Sequence, residues 1–195
     1  MGEANRKEAV AALHRAQIMT AAEKLFSEKG YEQTTIEDIS KESEYSRRTI
    51  YAYYESKDDI LHCIIEKGLQ ALKTDIENAA NDNAGFTDAY RAVCRAMRKY
   101  RREYPYSLER LNRSGDEEIG QTVKSAAVKN ILRLGTEINE TLEALIIRGQ
   151  ESGEVRKDIV PTLTVYVLWS SIDSLLALAG TKGKFICAQN GMTEE

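Results

Sequence analysis

Apolar residues recur every three or four positions along most of the chain, which is the spacing of one face of a helix. The first such stretch predicts a helix over roughly residues 7–29. It should end at Gly30, because glycine commonly follows the C-terminus of a helix. Its apolar face consists of Ile18, Ala21, Ala22, Leu25 and Phe26.

Start signals for three shorter segments follow. In "TTIEDI", either Thr34 with Glu37 or Thr35 with Asp38 supplies the pair of residues that a capping box needs. The helix that begins there should end near residues 43–45. Ser46 precedes "RRTIYAYY" and can cap a third helix, because serine is a preferred N-cap residue.

Ser56, with Asp59 three residues later, can cap a fourth helix that begins with "DDIL". Three helices in fewer than 50 residues, the last two joined by a short turn, predict a helix-turn-helix unit. The residues expected in its core are Leu25, Phe26, Ile36, Ile39 and Ile50.

The rest of the chain also reads as helical. A break at residues 81–88 precedes a predicted helix over about 87–103, a short one from Pro105 to Arg113, and a long one from Asp116 to about 151. The segment "ESGEVRKDIVP" then leads into an apolar helix over 159–180, and the tail should be a short helix or frayed. The predicted fold is all-α, with an N-terminal helix-turn-helix domain over 1–55 and a C-terminal helical domain over 56–195.

The apolar segment 159–180 is about long enough to cross a bilayer. However, Asp173 lies in its interior, and a central aspartate costs roughly 3 kcal/mol on membrane-insertion scales. A helix that is apolar on nearly every side can also be buried inside a protein. We therefore expect a buried helix or a subunit interface rather than a membrane span.

Composition narrows the classes of function. The 195 residues are 42% hydrophobic and 30% charged, with a net charge of −4, which suits a folded domain with a real core. Cys63, Cys94 and Cys187 are widely spaced and form no CxxC pair or cluster with the two histidines. We therefore expect reduced cysteines, a cytoplasmic location, no metal and no cofactor.

Two blocks of motif lie in order between Ile18 and Leu61: AA-x-x-LF-x-EKGY-x-x-TTI-x-DI, then S-x-x-TIY-x-YY-x-SK-x-x-IL. This stretch of about 45 residues resembles the DNA-binding domain of the tetracycline-repressor (TetR) family of transcriptional regulators. The remainder matches only loosely, in its helix lengths and in "SGEVRKDIVP". The resemblance implies a recognition helix over 46–53 that lies in the DNA major groove, and a C-terminal domain that binds a ligand and dimerises.

Residue chemistry agrees with the DNA contacts that the resemblance implies. Arg47 and Arg48 can each donate two hydrogen bonds to guanine, and the Thr49 methyl group can meet a thymine methyl. Hydroxyl groups and a lysine near helix starts suit phosphate oxygens. The residues predicted to contact DNA are Thr34, Thr35, Ser46, Arg47, Arg48, Thr49, Tyr51, Tyr53 and Lys57.

Residues 45–57 carry three basic groups and one acidic group, whereas residues 23–44 carry three basic and seven acidic groups. The chain departs from the family pattern at the turn before the recognition helix, where Glu44 stands in place of glycine. If Glu44 adopts the left-handed conformation, it costs on the order of 1 kcal/mol. Arg48 stands where the family has a small residue, so we expect it to read a base particular to this protein.

The C-terminal domain offers weaker signals. Arg91, Arg95, Arg98 and Arg102 share one helix face, which could be a solvated stripe, a dock for the acidic flank of the N-terminal domain, or part of an anion pocket. The small residues Ser170, Ser174 and Ala177 on the last helix would allow a second subunit to approach closely. The candidate ligand-binding residues are Tyr90, Cys94, Met97, Tyr166, Trp169 and Asp173.

The resemblance implies a homodimer that reads a palindromic operator in double-stranded DNA and is released by a small-molecule effector, most simply a repressor. The alternative is a ligand-independent DNA-binding protein of the same fold whose large domain binds a protein partner. An enzyme is not expected, because the chain has no Glu-x-x-His pair, no glycine-rich phosphate loop and no G-x-S-x-G.

Overall fold

The computed structural model describes residues 2–82, 85–104 and 126–191, and every regular element in those ranges is a helix. The predicted all-α fold class is therefore confirmed. The predicted short helix from Pro105 to Arg113 and the start near Asp116 lie outside the described residues. The helices are α1 (Glu3–Lys29), α2 (Ile36–Ser43), α3 (Arg47–Tyr53), α4 (Lys57–Asn81), α5 (Phe86–Glu103), α6 (Ala126–Ser152) and α7 (Pro161–Asn190).

The local start signals act as predicted, and the structure decides between the two capping pairs. Thr35 caps α2, with its side chain accepting from the Asp38 N–H at 3.1 Å while the Asp38 carboxylate accepts from the Thr35 N–H at 2.8 Å. Ser46 caps α3 by accepting from the Thr49 N–H at 3.1 Å. Ser56 accepts from the Asp59 N–H at 3.1 Å at the start of α4.

The chain divides into two compact units, and the divisions fall after residues 70, 103 and 134, of which the first and the last lie inside α4 and α6. The unit with residues 1–70 contains α1, α2 and α3, and α1 packs against both α2 and α3. The domain boundary predicted after residue 55 stays a prediction. The fully buried side chains at the centre of this unit are Ile18, Ile39, Ile50, Ile60, Leu61, Ile64 and Ile65.

The other unit contains residues 71–103 and the chain from Gly135 onward, and within it α5 packs against α7. Helix α5 is strongly amphipathic and buries one apolar face. The Glu154 carboxylate caps the start of α5 by accepting from the Phe86 N–H at 3.0 Å, which lowers the pKa of Glu154. The buried residues of α5 are Ala89, Val93, Ala96, Met97 and Tyr100.

Helix α7 is longer than predicted. It does not stop at residue 180 but continues to Asn190, where Gly191 ends it in the left-handed conformation at φ 62°. Of the two predicted alternatives, burial within the single chain is wrong, because Leu163, Val167 and Leu175 are exposed. The subunit interface stays a prediction. Among the described residues, no helix is long and apolar enough to cross a membrane.

The three cysteines, Cys63, Cys94 and Cys187, are free thiols in this structure. Burial raises the pKa of the Cys63 thiol to about 11, and the nearby Asp59 and Glu66 carboxylates act in the same direction. Because the thiolate is the reactive form, Cys63 is a poor nucleophile at neutral pH. No group of histidine, cysteine and acidic side chains in the described part of the chain could hold a metal ion.

Two glycines of α6 allow a matched test of packing in the second unit. A Cβ atom at Gly149 would lie 2.6 Å from the Val155 side chain and 2.8 Å from the Phe86 ring, whereas a Cβ atom at Gly135 would meet nothing within 4 Å. We expect Gly149→Ala to lower the free energy of unfolding by about 1–3 kcal/mol through overpacking. Gly135→Ala should raise it by up to about 1 kcal/mol, because alanine favours a helix interior.

Urea denaturation followed by circular dichroism measures both changes. A Gly149→Ala variant as stable as Gly135→Ala would show that the contact with Phe86 and Val155 relaxes at no cost.

Candidate nucleic-acid interface

Helix α3 presents a basic and aromatic face to solvent. Arg47, Arg48 and Tyr51 are exposed, with Tyr51 at 56% of its full accessibility, while Ile50 is completely buried. Positions three and four apart lie on the same side of a helix, so Tyr51 adjoins both arginines. In the described residues neither guanidinium forms an ion pair or hydrogen bond. Their donors are therefore available to a base edge or a phosphate oxygen.

The start of α3 is held by two hydroxyl groups. The Ser46 and Thr49 hydroxyl oxygens lie 2.8 Å apart, and Ser46 also caps the helix. Ser46 is exposed and Thr49 is half-buried, so the Thr49 methyl group is only partly accessible. Both residues stay predicted DNA contacts.

The turn between α2 and α3 contains a non-glycine residue in the left-handed conformation. Glu44 has φ 60° and ψ 16°, as the sequence suggested. The Ser40 hydroxyl donates to the Tyr45 carbonyl at 2.6 Å, and the Ser43 hydroxyl donates to the Ile39 carbonyl at 2.6 Å. These side-chain bonds hold the turn, although the left-handed conformation of Glu44 costs on the order of 1 kcal/mol.

Helix α1 holds the far end of α3 through residues that the sequence reasoning missed. The buried Tyr54 donates its hydroxyl hydrogen to the Arg15 carbonyl at 3.0 Å. The Tyr53 hydroxyl lies 2.9 Å from His14 Nδ1, and the Arg15 guanidinium lies 5.5 Å from the Tyr53 ring centre. Tyr53 is therefore half-buried against α1 rather than fully outward.

Gln17 completes this contact by accepting a hydrogen bond from the Tyr45 hydroxyl. The sequence held one signal that these residues contact the rest of the domain, namely their position in α1. His14 and Gln17 lie on the side of α1 that carries the buried Ile18. Nothing in the sequence pairs them with tyrosines about 30 to 40 residues away.

The prediction that Thr34 contacts phosphate is wrong for its side chain. Thr34 is only 1% exposed, and its hydroxyl donates to the Gly30 carbonyl at 2.8 Å, which fixes the connection between α1 and α2. Thr35 is exposed at the start of α2, where a phosphate contact stays a prediction. Hydrogen bonds from Lys29 and Thr35 lower the pKa of the Asp38 carboxyl, so the capping box is charged at neutral pH.

Lys57 is less available to DNA than the sequence suggested. Its ammonium group donates to the carbonyls of Tyr31 at 2.9 Å and Thr34 at 2.8 Å, and it lies 4.0 Å from the centre of the Tyr31 ring. Lys57 therefore ties the connection between α1 and α2 to the start of α4. An ammonium group has three donors, so one remains for a phosphate.

The negative charge of the acidic stretch 23–44, which precedes α3, is partly neutralised by ion pairs with lysines. Glu42 pairs with Lys24 at 2.7 Å, and Asp38 pairs with Lys29 at 2.8 Å. Glu23 pairs with Lys67 at 2.8 Å. Such surface pairs contribute little to stability, yet they reduce the negative charge beside the arginines of α3.

The candidate ligand-binding residues have mixed environments. Met97 is buried, Tyr90 is half-buried beside Cys94, and Trp169 donates its indole N–H to Asn139 at 2.9 Å. Tyr166 is exposed, and the side chain of Asp173 lies outside the described residues. None of the six lines the cavity of about 110 Å³ beside Phe86 or the shallow groove between α4 and α5. Their role in ligand binding stays a prediction.

The arginine stripe of α5 is exposed, as the solvated-stripe interpretation requires. Arg91 lies 3.3 Å from Asp88, and Arg102 lies 3.6 Å from Glu103. These contacts are local pairs on one helix, of the kind typical of a solvated surface.

Comparisons with known proteins bear directly on this N-terminal unit. Residues 18–64 match the family described as bacterial regulatory proteins, tetR family. Residues 18–64 therefore form a domain of the tetR family. The match covers the capped α2, the turn and α3, and so includes the exposed Arg47 and Arg48.

The chain is 38% identical over 86 residues to the HTH-type transcriptional regulator HbdR of Aromatoleum sp. (strain CIB). That match covers 44% of this chain and 36% of HbdR. The curated relatives that this domain matches are described as transcriptional regulators.

Two solved structures extend the likeness to the whole fold. The TetR family regulator PfmR from Thermus thermophilus has a TM-score of 0.66 and 26% identity, with 82% of this chain and 84% of that chain covered. The regulator FadR from Bacillus subtilis in complex with stearoyl-CoA has a TM-score of 0.67 and 20% identity, with 87% and 88% covered. At 20% identity, the likeness to FadR is evidence for the fold of this chain alone.

The left-handed Glu44 generates a stability prediction for the turn of this tetR-family domain. We expect Glu44→Gly to raise the free energy of unfolding by about 0.5–1 kcal/mol, because glycine removes the steric penalty but is more flexible in the unfolded chain. Glu44→Ala is the control, since it removes the carboxylate and keeps the penalty. Chemical denaturation of the wild type and the two variants measures the free energies of unfolding. A Glu44→Gly variant no more stable than Glu44→Ala would contradict the prediction.

Proposed function

We propose that the protein is a homodimeric transcriptional regulator, most simply a repressor, that reads a palindromic operator through α3. The observation that carries the proposal is the exposed trio Arg47, Arg48 and Tyr51 on a helix anchored by the buried Ile50, within a tetR-family domain. A guanidinium group that is free of intramolecular partners can make the paired hydrogen bonds to guanine O6 and N7. Exposed Ser46 and Thr35 supply hydroxyls that suit phosphates.

The surface of α7 supports a homodimer. One stripe along this helix carries apolar side chains that are more than 40% exposed, with Leu163 at 63% and Phe185 at 62%. The exposed Ser171 and Ser174 lie in the same stripe, where small side chains permit a second helix to approach closely. Exposed contiguous apolar surface marks an interaction site. The apolar residues of the stripe are Val160, Leu163, Val167, Leu175, Leu178 and Phe185.

A two-fold dimer explains why the operator should be palindromic. Two identical recognition helices related by a two-fold axis read the same sequence on opposite strands, in major grooves about 34–36 Å apart. We infer that an effector acts by changing this spacing, since a ligand shifts an equilibrium only by its different affinity for two states.

The first effector to test is a long-chain acyl-CoA, because FadR from Bacillus subtilis, which shares the fold, forms a complex with stearoyl-CoA. The alternative is a ligand-independent regulator whose large domain binds a protein partner. Release of bound operator by stearoyl-CoA, with octanoyl-CoA and free CoA as comparisons, separates the two.

The central experiment selects bound DNA from a random pool with the full-length protein. Enrichment of a palindrome supports the proposed function. Failure to enrich any palindrome overturns it, and enrichment of a single half-site would argue against the dimer.

Arg48 should set part of the operator sequence. We expect Arg48→Ala to weaken operator binding by about 1–3 kcal/mol per half-site and to relax selection at one base pair. The matched control is Arg102→Ala, which removes an exposed arginine of α5 that pairs locally with Glu103. The measurement is selection from a randomised operator, and an unchanged base preference in Arg48→Ala would rule out this role.

The α7 stripe should hold the dimer together. We expect the double change Leu163→Glu and Val167→Glu to produce monomers, because two charges per subunit would be buried without partners. Leu13→Glu is the control, since Leu13 is an equally exposed leucine of α1, at 56%. Sedimentation velocity reports the oligomeric state. The operator affinity of the double variant should fall as the dimer is lost. A double variant that stays dimeric would place the interface elsewhere.

A further inference from the structure

We propose that His14 is a positioning residue for Tyr53 and that its protonation raises the affinity for the operator. This inference rests on the proposed function and deepens it by naming a proton as a regulator of the DNA interface. His14 lies before residues 18–64, the segment matched by the tetR family, so the family resemblance assigns it no role.

The geometry joins α1 to both ends of the recognition segment. The His14 ring lies 5.0 Å from the Tyr45 ring in the turn before α3 and 5.8 Å from the Tyr53 ring in the last turn of α3. His14 Nδ1 lies 2.9 Å from the Tyr53 hydroxyl oxygen. His14 is half-buried, so the ring is held by these contacts and still within reach of protons from solvent.

The direction of this hydrogen bond depends on the charge of the imidazole. A neutral Nδ1 without a hydrogen accepts the Tyr53 hydroxyl hydrogen, which occupies the only donor of the phenol. A protonated imidazole can only donate, so the Tyr53 oxygen becomes the acceptor and its hydrogen is released. The released hydrogen can then be donated to a phosphate oxygen at the edge of α3. Each protonated subunit also carries one more positive charge toward the DNA.

The charges around the ring favour coupling between proton uptake and DNA binding. The groups that face His14 are Tyr45 from the turn and Tyr53 from α3, and Arg15 of the same helix lies over the Tyr53 ring. No carboxylate is among the contacts of His14 in the described residues. DNA phosphates bound beside α3 would favour a positive charge on this imidazole. Binding should therefore take up protons.

The sign of the pH effect follows. Because the bound state favours the protonated imidazole, the added affinity is present at low pH and is lost as pH rises. We expect operator affinity at constant ionic strength to rise about three- to tenfold as pH falls from about 8 to about 6, the range in which imidazoles titrate.

The chain offers a matched control, because it has only two histidines, His14 and His62. The experiment measures operator affinity by fluorescence anisotropy across this pH range for the wild type, His14→Gln, His62→Gln and Tyr53→Phe. Glutamine retains a donor and an acceptor for Tyr53 but does not titrate. We expect His14→Gln to bind with a nearly pH-independent affinity, His62→Gln to keep the full pH slope, and Tyr53→Phe to keep part of it through the added charge.

Thermal unfolding of each variant separates this role from a purely structural one, since loss of packing would weaken binding at every pH and leave the slope intact. Three results would overturn the role of His14 while leaving the proposed function intact. They are a wild-type pH slope of operator affinity in His14→Gln, loss of that slope in His62→Gln, and an operator affinity of the wild type that does not depend on pH. Absence of operator binding by the wild type at every pH would instead overturn the proposed function, and this inference with it.

Discussion

The candidate interface depends on the burial of Ile50. Helix α3 has seven residues, and helices shorter than about 12 residues are marginal in water on their own. Its conformation therefore comes from tertiary contacts: Ile50 is completely buried, and Tyr54 is buried with its hydroxyl bonded to the Arg15 carbonyl. With that side fixed, the helix can leave Arg47 and Arg48 in solvent without losing its position.

An acidic chain can present such a surface because its charges are arranged locally. The carboxylates of Asp38 and Glu42 pair with lysines of α1, so the acidic flank presents less negative charge than its composition suggests. Glu44 is exposed in the turn before α3, which keeps one carboxylate near the candidate interface. The balance between that carboxylate and the arginines of α3 bears on how strongly the surface attracts a polyanion.

The parts of the structure that were predictable from sequence are those fixed by neighbours in the chain. The caps formed by Thr35 and Ser46 involve residues three apart, and their side-chain chemistry allows few alternatives. The burial of Thr34 and the contact between His14 and Tyr53 depend instead on how helices pack. A polar residue next to a helix start looks the same in sequence whether it faces solvent or a backbone carbonyl.

The anchoring of α3 also has a thermodynamic consequence for recognition. The backbone of the recognition helix is already ordered before DNA arrives, so association need not include the entropy of folding it. The side chains of Arg47 and Arg48, by contrast, have no partners in the part of the chain that the structure describes, and they keep the rotamer freedom of long side chains, up to about 2 kcal/mol each. The entropic cost of recognition is therefore concentrated in two side chains, and an operator that engages only one of them leaves the other disordered.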